Sequence, residues 1–104
     1  MSKNNSNSIG EIIRDLRKRK KMPLRKLAAL LDLDQSTLSK IEHNTRNANE
    51  QLLEKIAQIF EIDVLDLKIH YLSDKIIYEL KDKDFGLDVL KVAEEKLKYE
   101  LRDR

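Results

Sequence analysis

The sequence has no cysteine, a single proline and only two glycines in 104 residues, and each scarcity closes off a class of function. Without cysteine there are no disulfides, no thiolate zinc sites and no cysteine nucleophile. Two glycines, standing far apart, make no glycine-rich phosphate loop. Long apolar runs are missing too. None approaches the roughly 18 consecutive residues of a membrane helix, and the opening MSKNNSNS lacks the apolar centre of a secretory signal. The expectation is a soluble, cytoplasmic protein without a membrane partner.

What the chain does contain is charge and aliphatic carbon: 38% of residues are charged and 40% hydrophobic, against 5% aromatic. That composition suffices for one compact helical core of ordinary domain size. The net charge is only +2, yet it is unevenly placed. Residues 1 to 48 hold 11 Lys and Arg against 5 Asp and Glu, a net +6; residues 49 to 104 hold 10 against 14, a net −4. Such asymmetry suits a polyanion-facing module joined to a part with another task.

Residues 1 to 8 are polar and are expected to form a disordered tail. Helical periodicity begins at IGEIIRDLRKRKK, which predicts a first helix over about 9 to 20, with Ile9, Ile12, Ile13 and Leu16 inward and Arg14, Arg17 and Lys18 outside that face. Pro23, whose fixed φ suits a first helical turn, opens a second helix reaching about Leu31. After the polar dip DLD, Asp34 is a natural N-cap for a third helix, QSTLSKIEH, its carboxylate within reach of the amides of Ser36 or Thr37. Asn49 caps a fourth, EQLLEKIAQIF, with Leu52, Leu53, Ile56, Ala57 and Phe60 inward. From Asp63 a fifth carries the stripe Leu65, Ile69, Leu72, Ile76 and Leu80. KDKDFG interrupts the pattern, and LDVLKVAEEKLKYEL closes the chain as a sixth. No segment sustains strand alternation, so the fold class is all-α.

The second and third helices form a corner. Leu27, Ala28 and Leu31 face inward from one arm, and Leu33, Leu38 and Ile41 from the other. Ala28 supplies the small side chain that two steeply crossed helices need near their contact. Asp32 stands in the turn, where a left-handed residue is required and glycine is commoner. Gln35, Ser36, Thr37, Ser39 and Lys40 lie on the outer helix and are not needed by the core. A helix whose exposed start is small and hydrogen-bonding can enter a DNA major groove, where Gln reads adenine with two hydrogen bonds.

Leu24 to His43 resembles the 20-residue helix-turn-helix of the bacteriophage lambda repressor-like, or XRE, regulators, and the likeness extends over residues 9 to 67. IGEIIRDLRKRKKM is similar to that family's first helix, and IEHNTRNANEQLLEKIAQIFEID to its Ile-Glu-Asn-Gly-Lys-Arg stretch and fourth helix. The resemblance implies a lambda repressor-like five-helix DNA-binding core, over residues 9 to 68, with a helical extension. It implies base contacts from Gln35, Ser36 and Thr37, with Ser39 and Lys40 on bases or phosphates, and phosphate contacts from Asn44 and Arg46. Arg14, Arg17, Arg25 and Lys26 are further candidate phosphate ligands. Three positions depart from the family pattern: Asp32 and Asn44 replace glycines, and Leu24 stands where a phosphate-binding Gln is frequent, with Arg25 or Lys26 as substitutes.

The implied function is a sequence-specific, DNA-binding transcriptional regulator that places its third helix in the major groove of a palindromic operator, without cofactor, metal or catalytic residues. A chain of this size resembles restriction-modification controller proteins, prophage regulators and antitoxins. The rival readings are an antitoxin, which adds a protein toxin as partner, and a helical interaction module that binds no DNA. An interaction module would gain from Leu, Tyr or Trp at the start of the third helix, and none stands there. His43 and His70 are expected to be surface or partly packed histidines and not metal ligands. DKDFGLD departs from a calcium loop, since Gly86 comes one position early and Ala93 stands where the closing Glu belongs.

Residues 69 to 104 are read as a dimerisation extension. In the sixth helix Phe85, Val92 and Tyr99 recur every seven residues beside a second stripe of Leu90, Ala93, Leu97 and Leu101. The combined arc of about 200° is more than one neighbouring helix covers. One face is therefore expected to pack on the fifth helix of the same chain and the other on a second copy, through Ile76, Leu80, Leu90, Ala93, Leu97 and Leu101.

Overall fold

The computed structural model describes residues 7 to 103 and contains six helices: α1 (Ile9–Arg19), α2 (Leu24–Leu30), α3 (Gln35–Glu42), α4 (Glu50–Phe60), α5 (Val64–Leu80) and α6 (Gly86–Arg102). No strand occurs among the described residues, and the all-α expectation holds. The predicted tail lies largely outside the described residues. Its last member, Ser8, is ordered as the N-cap of α1, in a capping box with Glu11.

The helices begin where side-chain acceptors meet free amides. Asp34 accepts from the Thr37 amide at 2.7 Å and Asn49 from the Leu52 amide at 2.8 Å, so both expected caps are present. Pro23 precedes α2 as its N-cap and so stands one position outside the helix. The ends of α1 to α4 follow one rule. Each is closed by a residue with positive φ, respectively Lys21, Asp32, Asn44 and Glu61, and none of these is glycine. At each end the following amide reaches back across the last turn: Met22 to Arg17 O, Leu33 to Ala28 O, Thr45 to Lys40 O and Ile62 to Ala57 O. This is the Schellman arrangement, and Met22, Leu33 and Ile62 add the partly buried apolar contact that usually accompanies it.

The chain forms two compact units, residues 1 to 74 and 75 to 104, with α5 running through the division. In the first, Ile13, Leu27, Leu31, Leu38, Leu53, Ile56 and Leu67 are fully buried, and Ala28 is buried at the α2–α3 corner as its size requires. The expected end of this region near residue 68 falls short of its packing. Tyr71 belongs to the core, and the Asp74 carboxylate accepts from the Ile9 amide at 2.7 Å. The regular stripe of α5 is not its core face either. Leu67 and Tyr71 enter the core, whereas Leu65, Ile69, Leu72 and Ile76 are between 48% and 57% exposed. The two faces lie roughly 150° apart around the helix, at 100° per residue.

Gly10 is where α1 meets the end of α3. A Cβ there would collide with the Ile41 carbonyl oxygen and Oδ1 of Asn44, with the Glu42 carbonyl close behind. Only a residue without a side chain permits that approach.

In the second unit α6 buries no residue, so the expectation that one of its faces is covered within the chain is not met. Leu80 and Leu90 are half-buried, while Ile76, Ala93, Leu97 and Leu101 are exposed. Leu80 stands against Gly86 at the start of α6.

The unusual helix ends make a stability prediction. Lys and Glu gain nothing from a left-handed backbone, whereas Asn bonds locally there. Lys21→Gly and Glu61→Gly should each stabilise the protein by about 0.5–1 kcal/mol, relief of strain exceeding the added chain entropy, and Asn44→Gly should not. Urea denaturation of the three variants measures the difference.

Candidate nucleic-acid interface

Helix α3 is held from behind by α1. Glu42, in the last turn of α3, is buried to 2% exposure and faces Arg17 of α1, itself 13% exposed. Arg17 Nε donates to Glu42 Oε2 at 2.7 Å, Nη2 to Oε1 at 3.0 Å, and Nη1 to the Met22 carbonyl at 2.9 Å. The hydrogen bonds to Glu42 hold the guanidinium pKa above its ordinary value, outweighing the desolvation that lowers it. This fork is a bidentate pair in which both carboxylate oxygens are used.

Arg17 therefore has to be reassigned. Its place among the phosphate ligands is not what the structure supports, because the guanidinium faces inward and is engaged on both edges. The reason lies in helical spacing: Arg17 follows Ile13 by four residues and so continues the buried face. The readable signal was Glu42, a carboxylate on the same face as Leu38 and Ile41, which needs a cation opposite it. Gly10, too, shows in the sequence only as a glycine inside a helix; its partner contact at the end of α3 is not local.

The outward side of the corner is different. Gln35, Ser36 and Lys40 are exposed, Thr37 and Ser39 half-buried. Among the described residues no hydrogen bond or ion pair engages the side chains of Gln35, Ser36 or Lys40. Asp34 fixes the start of the helix through Thr37, and the same bond holds its carboxyl below its usual pKa, with weaker help from Arg46 and Lys40. The lowered value means that the cap acts fully above the ordinary carboxylate range and is lost as the pH falls through the folded-state value. Arg46 and Lys40 thus share the electrostatic environment of the α3 N-terminus.

The turn after α3 is held by hydrogen bonds back to the helix. Asn44 has φ 63° and donates its amide to Ile41 O, Thr45 donates its amide and hydroxyl to Lys40 O, and exposed Arg46 follows directly. Oδ1 of Asn44 lies over Gly10. Arg25 and Lys26 are exposed in the first turn of α2, and Arg14 is half-buried on α1. No cluster of His, Asp or Glu among the described residues could hold a metal.

The helix-turn-helix family model matches residues 13 to 67. The chain belongs to the helix-turn-helix family, in its XRE or lambda repressor-like form. Among solved structures, the N-terminal DNA-binding domain of SinR from Bacillus subtilis is 37% identical over 57% of this chain and 87% of its own, with a TM-score of 0.51. SinR in complex with DNA is likewise 37% identical, over 57% of this chain and 95% of its own, at a TM-score of 0.52. A mutant of the restriction-modification controller protein C.Esp1396I is 25% identical over 73% of this chain and 96% of its own, at 0.53. Among curated proteins none matches the chain. No helix of the described residues is long and apolar enough to cross a membrane.

The Arg17–Glu42 pair makes the next prediction. Removing one partner of a buried pair costs about 3–5 kcal/mol, a large part of the roughly 5–15 kcal/mol that holds a domain folded. Arg17→Ala should therefore come close to unfolding the chain, while the double change Arg17→Met and Glu42→Leu should recover most of the loss. A chemical denaturation midpoint for each variant checks this. Equal losses in the two would mean the charge was not the issue.

Proposed function

We propose that the protein is a sequence-specific DNA-binding transcriptional regulator, of the controller or stand-alone type, that acts as a homodimer on a palindromic operator. The observation that carries the reading is the uncommitted polar start of α3 on a helix whose other side is locked to α1. A side chain held in place without an internal partner is preorganised for an external one. The structure of SinR with DNA supports the same use of this fold.

In this reading Gln35, Ser36 and Thr37 contact base edges, and Ser39 and Lys40 reach bases or phosphate. Asn44 and Arg46 hold the backbone after α3. Arg25 and Lys26 stand where the α2 dipole disfavours cations, and a facing phosphate would reverse that penalty. The two classes of contact separate experimentally on a duplex selected from a random library. Gln35→Ala should cost about 1–3 kcal/mol on that duplex and almost nothing on random DNA. Arg46→Ala should weaken both alike and make the log–log salt dependence shallower by roughly one unit. Parallel losses on both duplexes in Gln35→Ala would sink the base-reading role; an unaltered slope in Arg46→Ala, at an unaltered melting temperature, would sink the phosphate role.

The homodimer rests on the second unit. Residues 75 to 104 hold 8 basic and 8 acidic residues, so two copies meet without net repulsion. A 17-residue helix with no buried side chain is marginal on its own and needs a covering surface. Ile76, Leu80, Leu90, Ala93, Leu97 and Leu101 would supply both sides of that contact. Because the first unit's packing extends to Asp74, the truncation that tests it ends there and not near residue 68. Light scattering should give twice the chain mass for the full protein and one chain mass after truncation, with far weaker palindrome binding. A monomeric full chain, or an undiminished dimer after truncation, contradicts the assignment.

A further inference from the structure

The start of α1 is capped twice. Ser8 and Glu11 satisfy each other's backbone amides at 3.3 and 3.2 Å, which is enough to begin a helix. The Ile9 amide has in addition a bond of 2.7 Å to Oδ2 of Asp74, 65 residues away and half-buried at the end of the first unit. A local cap determines whether a helix starts; a distant one also determines where it lies. The adjoining residue is Gly10, against which the Ile41 carbonyl and Oδ1 of Asn44 are packed without room for a methyl group. There the α1 backbone meets the Ile41 and Glu42 carbonyls directly, and Asn44 closes the contact with its side-chain oxygen, so α1 has little freedom to shift without moving Asn44.

We propose that Asp74 is a positioning residue for DNA binding: through Ile9 and Gly10 it seats the first turn of α1 against Asn44, and so fixes the phosphate-holding turn that follows the reading helix. The proposal rests on the DNA-binding reading above. It assigns to Asp74 no contact with DNA.

Displacement of the turn that carries Asn44 and Arg46 has a signature that loss of stability lacks. A smaller folded fraction lowers affinity at every salt concentration equally, whereas moving the Arg46 guanidinium off its phosphate removes a cationic contact and changes the salt slope. Binding of the full chain is measured on the selected duplex and on random DNA for the parent, Asp74→Ala, Asp74→Asn and Ser8→Ala, with a thermal melt of each. Asp74→Ala should weaken both duplexes about tenfold, the factor that one hydrogen bond to a charged group carries, with a slope shallower by roughly one unit. Asp74→Asn, which keeps an acceptor for the Ile9 amide, should restore most of both. Ser8→Ala removes the local cap only and should lower the melting temperature at the parental slope. A folded Asp74→Ala with parental slope overturns the proposal alone, as does a slope change of equal size in Ser8→Ala. An Asp74→Ala chain that fails to fold overturns it as well, since the bond would then hold the fold and not the turn. A parent that binds no duplex overturns the functional reading and this proposal together, before any variant is compared.

Discussion

A carboxylate buried in the last turn of α3 dictates much of this molecule. Glu42 is tolerable there only because Arg17 meets it with two hydrogen bonds, and that requirement sets the distance and rotation of α1 against α3. Gly10 marks the other end of the same contact, where backbone approaches backbone. Between them Ile13 and Leu38 are fully buried. One side of α3 is thereby committed to the core, and its polar start is turned outward by elimination. The functional reading follows from that division of a short helix into a fixed back and a free front.

The chain achieves its tight corners without glycine. Positive φ falls on Lys, Asp, Asn and Glu, each stabilised by the same reach-back hydrogen bond and, at three of the four, by an apolar residue tucked beneath the turn. These conformations cost about 1–2 kcal/mol apiece for residues with a Cβ. The α2–α3 corner nevertheless closes, because Ala28 permits the helices to cross closely and the Ala28 carbonyl receives the Leu33 amide. Charge is divided as function would ask. The basic excess lies in the half that carries α3, and the last 30 residues are neutral.

Periodicity and caps made the helices legible in advance. Six runs, the Asp34 and Asn49 caps, the small residue at position 28 and the left-handed turn at Asp32 are all local properties of a few neighbouring residues. What stayed hidden was pairwise and distant. Arg17 belongs to a run of basic residues and looks solvated until Glu42 is placed opposite it. In α5 the long even stripe invites assignment to the core, but periodicity cannot say which of two apolar faces is buried, and Leu67 with Tyr71 form the shorter one. Lys21 and Glu61 carry no sequence signal of left-handed backbone. Asp74 had no reason to be noticed without its partner 65 residues earlier. Of the candidate DNA contacts, Gln35, Ser36, Lys40, Asn44 and Arg46 are exposed, and Arg17 is turned inward.

The central claim is that the outward start of α3 reads DNA sequence. Selection of binding duplexes from a random library by the full chain tests it most directly. The account predicts enrichment of one short motif, in two inverted copies whose centres lie about one helical turn, or roughly 10 base pairs, apart. Recovery of sequences with no common motif, at affinities set by salt alone, would contradict it.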